Sequence, residues 1–123
     1  MIAAYDTYYR RFGSTYHVTA QVESVALKGR SIPSVAALVE AMFMAELSGM
    51  LLTAGHDLDL LELPLSADIA GPGDRYETMR GEEREPKPGD MVIRDMRGIV
   101  SSIILGPDRR TKIGAGTRSV LFA

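Results

Sequence analysis

The sequence predicts an α+β fold in which N-terminal helices pack on a mixed, largely antiparallel, barrel-like sheet, and two observations carry its helical and its antiparallel parts. Up to about Leu47 the apolar residues recur at spacings of three and four, the period of a helix. From Leu63 onward, short runs rich in β-branched residues alternate with Gly, Pro and Asp, and strands joined by such short turns pair antiparallel.

The elements follow in chain order. Tyr5, Tyr8, Tyr9 and Phe12 fall on one helical stripe within Ile2 to Phe12, and Gly13 ends it. The stripe reads as core packing rather than a base-stacking platform. Thr19 is placed to cap a helix from Ala20 to about Leu27, with Gly29 as its stop. Ser31-Ile32-Pro33 opens the longest helix, Ser34 to Leu47. That helix is apolar on most of its surface and is expected to lie on a sheet. Leu51 to Ala54 reads as a strand, Gly55 to Asp59 as its polar exit into a turn of helix near Leu60, and Leu63 to Ile69 as a second strand. Tyr76 to Met79 and Glu83 to Glu85 flank Arg80-Gly81 as an exposed hairpin. Pro88-Gly89-Asp90 is a turn feeding Met91-Val92-Ile93, and Asp95 to Gly98 turns the chain into a strand from Ile99 to Leu105. Gly106-Pro107-Asp108 punctuates again, and Ser119 to Phe122 forms the last strand.

Composition excludes several function classes. At 123 residues the chain is read as one domain, and 46% hydrophobic with 24% charged residues is the balance of an ordinary globular protein. Fourteen Lys and Arg against 16 Asp and Glu give a net charge of -2, so any nucleic-acid contact has to come from a local patch. Without cysteine there is no disulfide, no thiolate nucleophile and no Cys-ligated zinc. No apolar run of about 18 residues predicts a membrane span, and no apolar signal core follows the N-terminus, so a cytoplasmic protein is expected. The last strand runs out at Ala123, from which a natural chain extending further is expected.

His56 with Asp57 and Asp59 is the most reactive-looking cluster. An imidazole and two carboxylates can hold a cation or a water, but neighbours on a strand or turn point apart, so no metal is expected. Asp57 or Asp59 capping the next turn of helix is the competing reading. Ser101 and Ser102 lie on a strand with their hydroxyls on opposite faces, so at most one can face a pocket. No Gly-x-Ser-x-Gly, phosphate-binding loop or dinucleotide fingerprint occurs, and no cofactor is expected. His17 sits in a connection and reads as a packed or surface group. Glu40 and Glu46 interrupt the apolar surface of the long helix, and either becomes interesting for acid–base work if it points inward. Arg109, Arg110, Lys112 and Arg118 form the concentrated basic stretch, joined by Arg94 and Arg97. They offer phosphate contacts, or else a turn paired with Asp108 and Asp95.

Taken together, these blocks resemble the B3/B4 domain found in the beta subunit of phenylalanyl-tRNA synthetase and in small freestanding proteins. The resemblance runs through Tyr9-Arg10-Arg11-Phe12-Gly13, Lys28 to Pro33, Ala54-Gly55-His56-Asp57-Leu58-Asp59, Gly81-Glu82-Glu83, Pro88 to Asp95, Gly98, and Thr117 to Phe122. It implies a domain that hydrolyses the ester of an amino acid wrongly attached to tRNA, using backbone contacts and a held water rather than a strong catalytic triad. By position it implies a pocket where Thr53 to Asp57 meets Ser101 to Gly106, with the long helix and Glu40 alongside. The synthetase domains carry a histidine a few residues before the Asp57 position, where this chain has Ala54. They also carry a glutamate beyond the last strand and a Gly-Gly pair where this chain has Gly106-Pro107, so their tyrosine-reading residues are not reproduced.

Three functions are expected in turn. The first is a deacylase acting in trans on aminoacylated tRNA. In it His56 or Asp57 holds water, Ser101 or Ser102 with the Gly55 and Gly106 backbones and Thr53 lines the ester site, and Arg109, Arg110 and Lys112 meet phosphate. The second is a module that binds tRNA or an amino acid without turnover. The third is an assembly domain, a homo-oligomer pairing through the edge at Tyr76 to Glu85.

Overall fold

The computed structural model describes residues 2–16 and 37–123. The helix expected from Ala20 to Leu27, the first residues of the helix expected at Ser34, and His17 lie outside the described residues. The chain divides into two compact units, Met1–Thr53 and Ala54–Ala123.

In the first unit, helix α1 (Ile2–Arg11) ends where Gly13 takes φ 68°, a left-handed value that glycine adopts without steric cost. Of the predicted aromatic stripe, Tyr9 and Phe12 are buried and Tyr5 and Tyr8 half-buried, and Tyr16, from outside the stripe, is buried as well. Tyr5 stacks on Tyr16 with ring centroids 4.6 Å apart, and Tyr8 leans on Phe12 at 5.0 Å. Helix α2 is described over Ala37–Gly49 and runs two residues past Leu47. The tyrosine hydroxyls tie the segment after it: Tyr16 Oη donates to the Met50 carbonyl at 3.2 Å, and Tyr5 Oη accepts from the Leu52 N–H at 3.3 Å. Residues 51–54, expected as a strand, are irregular.

The second unit is β-rich. Strand β1 (Gly55–Asp57) leads into a 3-10 turn (Leu58–Leu60), followed by β2 (Ser66–Ile69), β3 (Tyr76–Glu77), β4 (Glu83–Arg84), β5 (Met91–Asp95), β6 (Gly98–Ser102), β7 (Gly106–Pro107) and β8 (Val120–Phe122). Among the described residues these form three sheets, β1-β8, β2-β5-β6-β7 and β3-β4, each with antiparallel neighbours. The α+β class therefore holds and the antiparallel pairing holds. The barrel-like, mixed sheet does not: the strands are too short and too divided to close, and no parallel pair occurs among the described residues.

The turn chemistry explains where strands stop. Asp95 closes the β5–β6 turn, its Oδ1 accepting the Arg97 and Gly98 N–H groups at 2.9 and 3.2 Å. A register shift between Ile93 and Arg94 leaves Val100 as the extra residue of β6. The small core holds Ala70, Tyr76, Val92 and Ile99, with Leu105 against it. The hairpin β3–β4 is thus anchored by Tyr76 although most of it is exposed. No helix among the described residues is long and apolar enough to cross a membrane.

Candidate functional site

Strand β1 is fixed by a partner from the far end of the chain, with Gly55 opposite Phe122, His56 opposite Leu121 and Asp57 opposite Val120. Period-two alternation then sends His56 and Asp57 to opposite sides. His56 is 1% exposed. Its Nδ1 lies 2.7 Å from the Thr111 hydroxyl, itself completely buried, and 3.9 Å from Asp108 Oδ1. The Thr111 hydroxyl makes a very short hydrogen bond to that same Asp108 oxygen, which also accepts the Thr111 N–H at 3.3 Å. On the other side of the carboxylate, Arg110 Nε stands 3.7 Å from Oδ2.

At its far side the imidazole is bare. Nε2 is buried and is the one buried side-chain nitrogen or oxygen among the described residues that has no hydrogen-bond partner. Leaving such an atom unsatisfied costs about 1–3 kcal/mol. The ring is held below its ordinary pKa, first by desolvation, with Arg110 adding to that and Asp108 and Asp95 opposing it. A neutral imidazole with one free nitrogen can accept a proton or a hydrogen bond there.

Asp57 has no such freedom. Its Oδ1 accepts the Asp59 N–H at 3.0 Å, capping the 3-10 turn, and its Oδ2 accepts the Thr117 hydroxyl at 2.6 Å. The capping alternative describes it. Ser101 and Ser102 take opposite faces of β6, as the alternation requires, and both are buried. Ser102 donates a very short hydrogen bond to Asp90 Oδ2 and accepts the Leu105 N–H at 3.0 Å. Asp90 also takes the Ile104 N–H at 3.4 Å. Those two backbone donors are drawn into side chains, so β6 ends at Ser102 and not at Leu105. Gly106, with φ 83°, turns its carbonyl to the Tyr76 hydroxyl at 2.6 Å.

No protein-family model matches the chain, and no curated protein is significantly similar to it.

The structure sorts the remaining expected site residues. Glu40 and Thr53 belong to the first unit, where Glu40 is half-buried on α2 and the Thr53 N–H donates to Glu46 Oε1 at 3.1 Å. Gly55 is held in the β1–β8 ladder. Arg110 is turned inward, donating to Asp95 Oδ2 at 2.8 Å and to the Leu60 carbonyl at 3.0 Å. Its guanidinium ties the turn after β1 to the end of β5. Arg109 is exposed and pairs with Glu77 at 3.4 Å, and Lys112 and Arg118 are exposed. Arg94 is spent on Asp68 and Asp74, at 2.9 and 2.5 Å. Arg75, Glu83, Arg84 and Glu85 line an open depression, but Arg75 already pairs with both Glu83 and Glu85 there. Among the described residues no three His, Asp or Glu side chains gather as a metal site.

Sequence reasoning found His56 but missed Thr111, and placed Asp108 only as a partner for the basic turn. Thr111 lies 55 residues away in sequence, in a loop between β7 and β8 with no strong local pattern. The available signal was the Gly-Pro-Asp turn at 106–108, where an aspartate after a tight turn has a side chain free to bond nearby groups.

Proposed function

We propose that the chain is a freestanding B3/B4-like domain that hydrolyses the ester between tRNA and a misattached amino acid, with His56 as the group that takes a proton from water. The observation that supports this reading is the bare Nε2 of a buried, neutral imidazole whose other nitrogen is held by Thr111. A general base needs an unprotonated nitrogen at working pH, and the lowered pKa of His56 keeps it unprotonated. In the proposed step the water proton passes to Nε2 while the water oxygen bonds to the ester carbon. The imidazolium then returns that proton to the ribose oxygen as its bond to the carbonyl carbon breaks. Water is consumed, amino acid and tRNA are released, and no cofactor is required. Arg110 keeps an internal role in this reading, so phosphate contact falls to Arg109, Lys112 and Arg118, whose exposed charges can exchange protein partners for phosphate at little cost.

The test is turnover of a panel of labelled, mischarged aminoacyl-tRNAs. Release above the spontaneous rate for at least one member is expected. No release, with tRNA still bound, would move the chain to the class of binding modules. Removing the Arg109 and Lys112 side chains together is expected to weaken tRNA binding and to reduce the slope of log K against log salt by about 2, near one for each phosphate no longer neutralised.

A further inference from the structure

Hydrogen-bond arithmetic around His56 fixes more than its location. The Asp108 carboxylate oxygens face fixed donors, the Thr111 N–H on Oδ1 and the Arg110 guanidinium near Oδ2. A carboxylate in that setting has only lone pairs to offer. Thr111 has one hydroxyl hydrogen, and its very short hydrogen bond to Asp108 Oδ1 uses it. The same hydroxyl oxygen lies 2.7 Å from His56 Nδ1, and with its hydrogen committed it can only accept there. The hydrogen between them must therefore come from Nδ1. With Nδ1 protonated in a neutral ring, Nε2 carries the lone pair, and Nε2 is the buried atom without a partner.

We propose that Thr111, held by Asp108, is a positioning residue that fixes His56 as its Nδ1–H tautomer and so presents Nε2 as a bare acceptor to the O–H of a bound water or hydroxyl ligand. Its catalytic consequence rests on the reading of His56 as the base of an ester hydrolase, but the tautomer itself does not. A simple packing role for Thr111 would need only its volume, which valine supplies. The tautomeric role needs the hydroxyl, which serine supplies. Thr111→Val and Thr111→Ser therefore separate the two. When the ring takes a proton on Nε2, the arrangement also lets Nδ1–H lean on a hydroxyl already polarised by Asp108, which steadies the imidazolium without a direct carboxylate hydrogen bond.

The experiment is long-range nitrogen–hydrogen correlation NMR of the intact, 15N-labelled protein at neutral pH, with the His56 ring assigned by its disappearance in His56→Gln. The expected spectrum has His56 protonated at Nδ1 and unprotonated at Nε2. Thr111→Ser keeps that pattern, whereas Thr111→Val loses it, giving Nε2–H or a mixture of tautomers. An Nε2–H ring in the unaltered protein overturns the proposal, and so does an unchanged pattern in Thr111→Val. Should Thr111→Val not fold, the unaltered protein's tautomer decides alone, with Thr111→Ser read beside it. On an aminoacyl-tRNA that the unaltered protein hydrolyses, Thr111→Val is expected to lower kcat by about tenfold or more with KM little changed, and Thr111→Ser to restore most of it. If the unaltered protein hydrolyses none, the reading as a hydrolase fails while the NMR result still decides the tautomer.

Discussion

Two buried aspartates in the β-rich unit grip hydroxyl side chains in the same way and to different ends. Asp90 takes the Ser102 hydroxyl and the Ile104 N–H, and the Ser102 oxygen in turn accepts the Leu105 N–H. Each hydroxyl or amide in that group ends on the chain itself, so the group shapes the turn from β6 to β7. Asp108 takes the Thr111 hydroxyl and N–H, but the Thr111 oxygen meets an imidazole, and the imidazole ends in an atom with no partner. Closed networks of buried polar groups specify a backbone conformation, while an open end has acceptor capacity left over for something else. The contrast sets Ser102, whose hydroxyl is engaged by Asp90, apart from His56, whose Nε2 has no partner.

The largest effect is expected at the closed group. Asp90→Ala takes the acceptor from the buried Ser102 hydroxyl hydrogen and from the part-buried Ile104 N–H, and a loss of about 3 kcal/mol in urea denaturation is expected. A loss under about 1 kcal/mol would mean that this group does not hold the turn. Thr111→Val at the open group is expected to cost less, about 1–2 kcal/mol, because valine fills about the same space and strands only the His56 Nδ1 side, while Asp108 Oδ1 keeps the Thr111 N–H. Equal losses at the two sites would erase the distinction.

A smaller effect is expected in the pH dependence of stability, and its sign differs between the two units. Burial holds the His56 pKa below its ordinary 6.5 in the folded chain. As pH falls through 6.5 toward that lower value, the unfolded chain takes up a proton that the folded chain refuses, so stability falls. His56→Gln should remove this slope. Glu46, buried on α2, is the opposite case: desolvation raises its pKa above the ordinary 4.5, and the Thr53 N–H only partly offsets it. Between 4.5 and the raised value the folded chain keeps a proton that the unfolded chain has lost, so this contribution to stability grows as pH falls and is complete below 4.5. Glu46→Gln should abolish it while sparing the acceptor for Thr53, and a slope unchanged by the substitution would remove Glu46 as its source. Smallest of all is Arg109→Ala, whose exposed pair with Glu77 is expected to change stability by no more than about 0.5 kcal/mol. A larger loss would show that Arg109 is built into the fold as Arg110 is.

Elements written in local pattern were legible in the sequence. The α1 stripe with its Gly13 stop, the β5–β6 hairpin and the β3–β4 hairpin around Arg80-Gly81 all depend on neighbours in sequence. The Leu63 to Ile69 strand was read too long: it begins at Ser66, after Pro64, which has no N–H to give a ladder. The strand before Gly55 was misplaced because its true partner is β8, and only that pairing shows that the ladder runs over Gly55–Asp57. The same distance in sequence hid Thr111 and Asp108 from His56. A basic turn looks the same in sequence whether the Arg110 guanidinium faces phosphate or Asp95, and only the folded chain shows it bonded to Asp95. A local pattern reveals which residues are reactive, but which hydroxyl lies beside an imidazole depends on long-range closure of the chain.

The most direct measurement is the rate of aminoacyl-tRNA deacylation by His56→Ala set beside Asp57→Ala, each corrected for the folded fraction. For His56 acting as the base, a loss of at least about tenfold is predicted in His56→Ala. An almost unchanged rate per folded molecule is predicted for Asp57→Ala, because both Asp57 oxygens are committed to Asp59 and Thr117. An undiminished rate in His56→Ala, or a loss confined to Asp57→Ala, would contradict that role for His56.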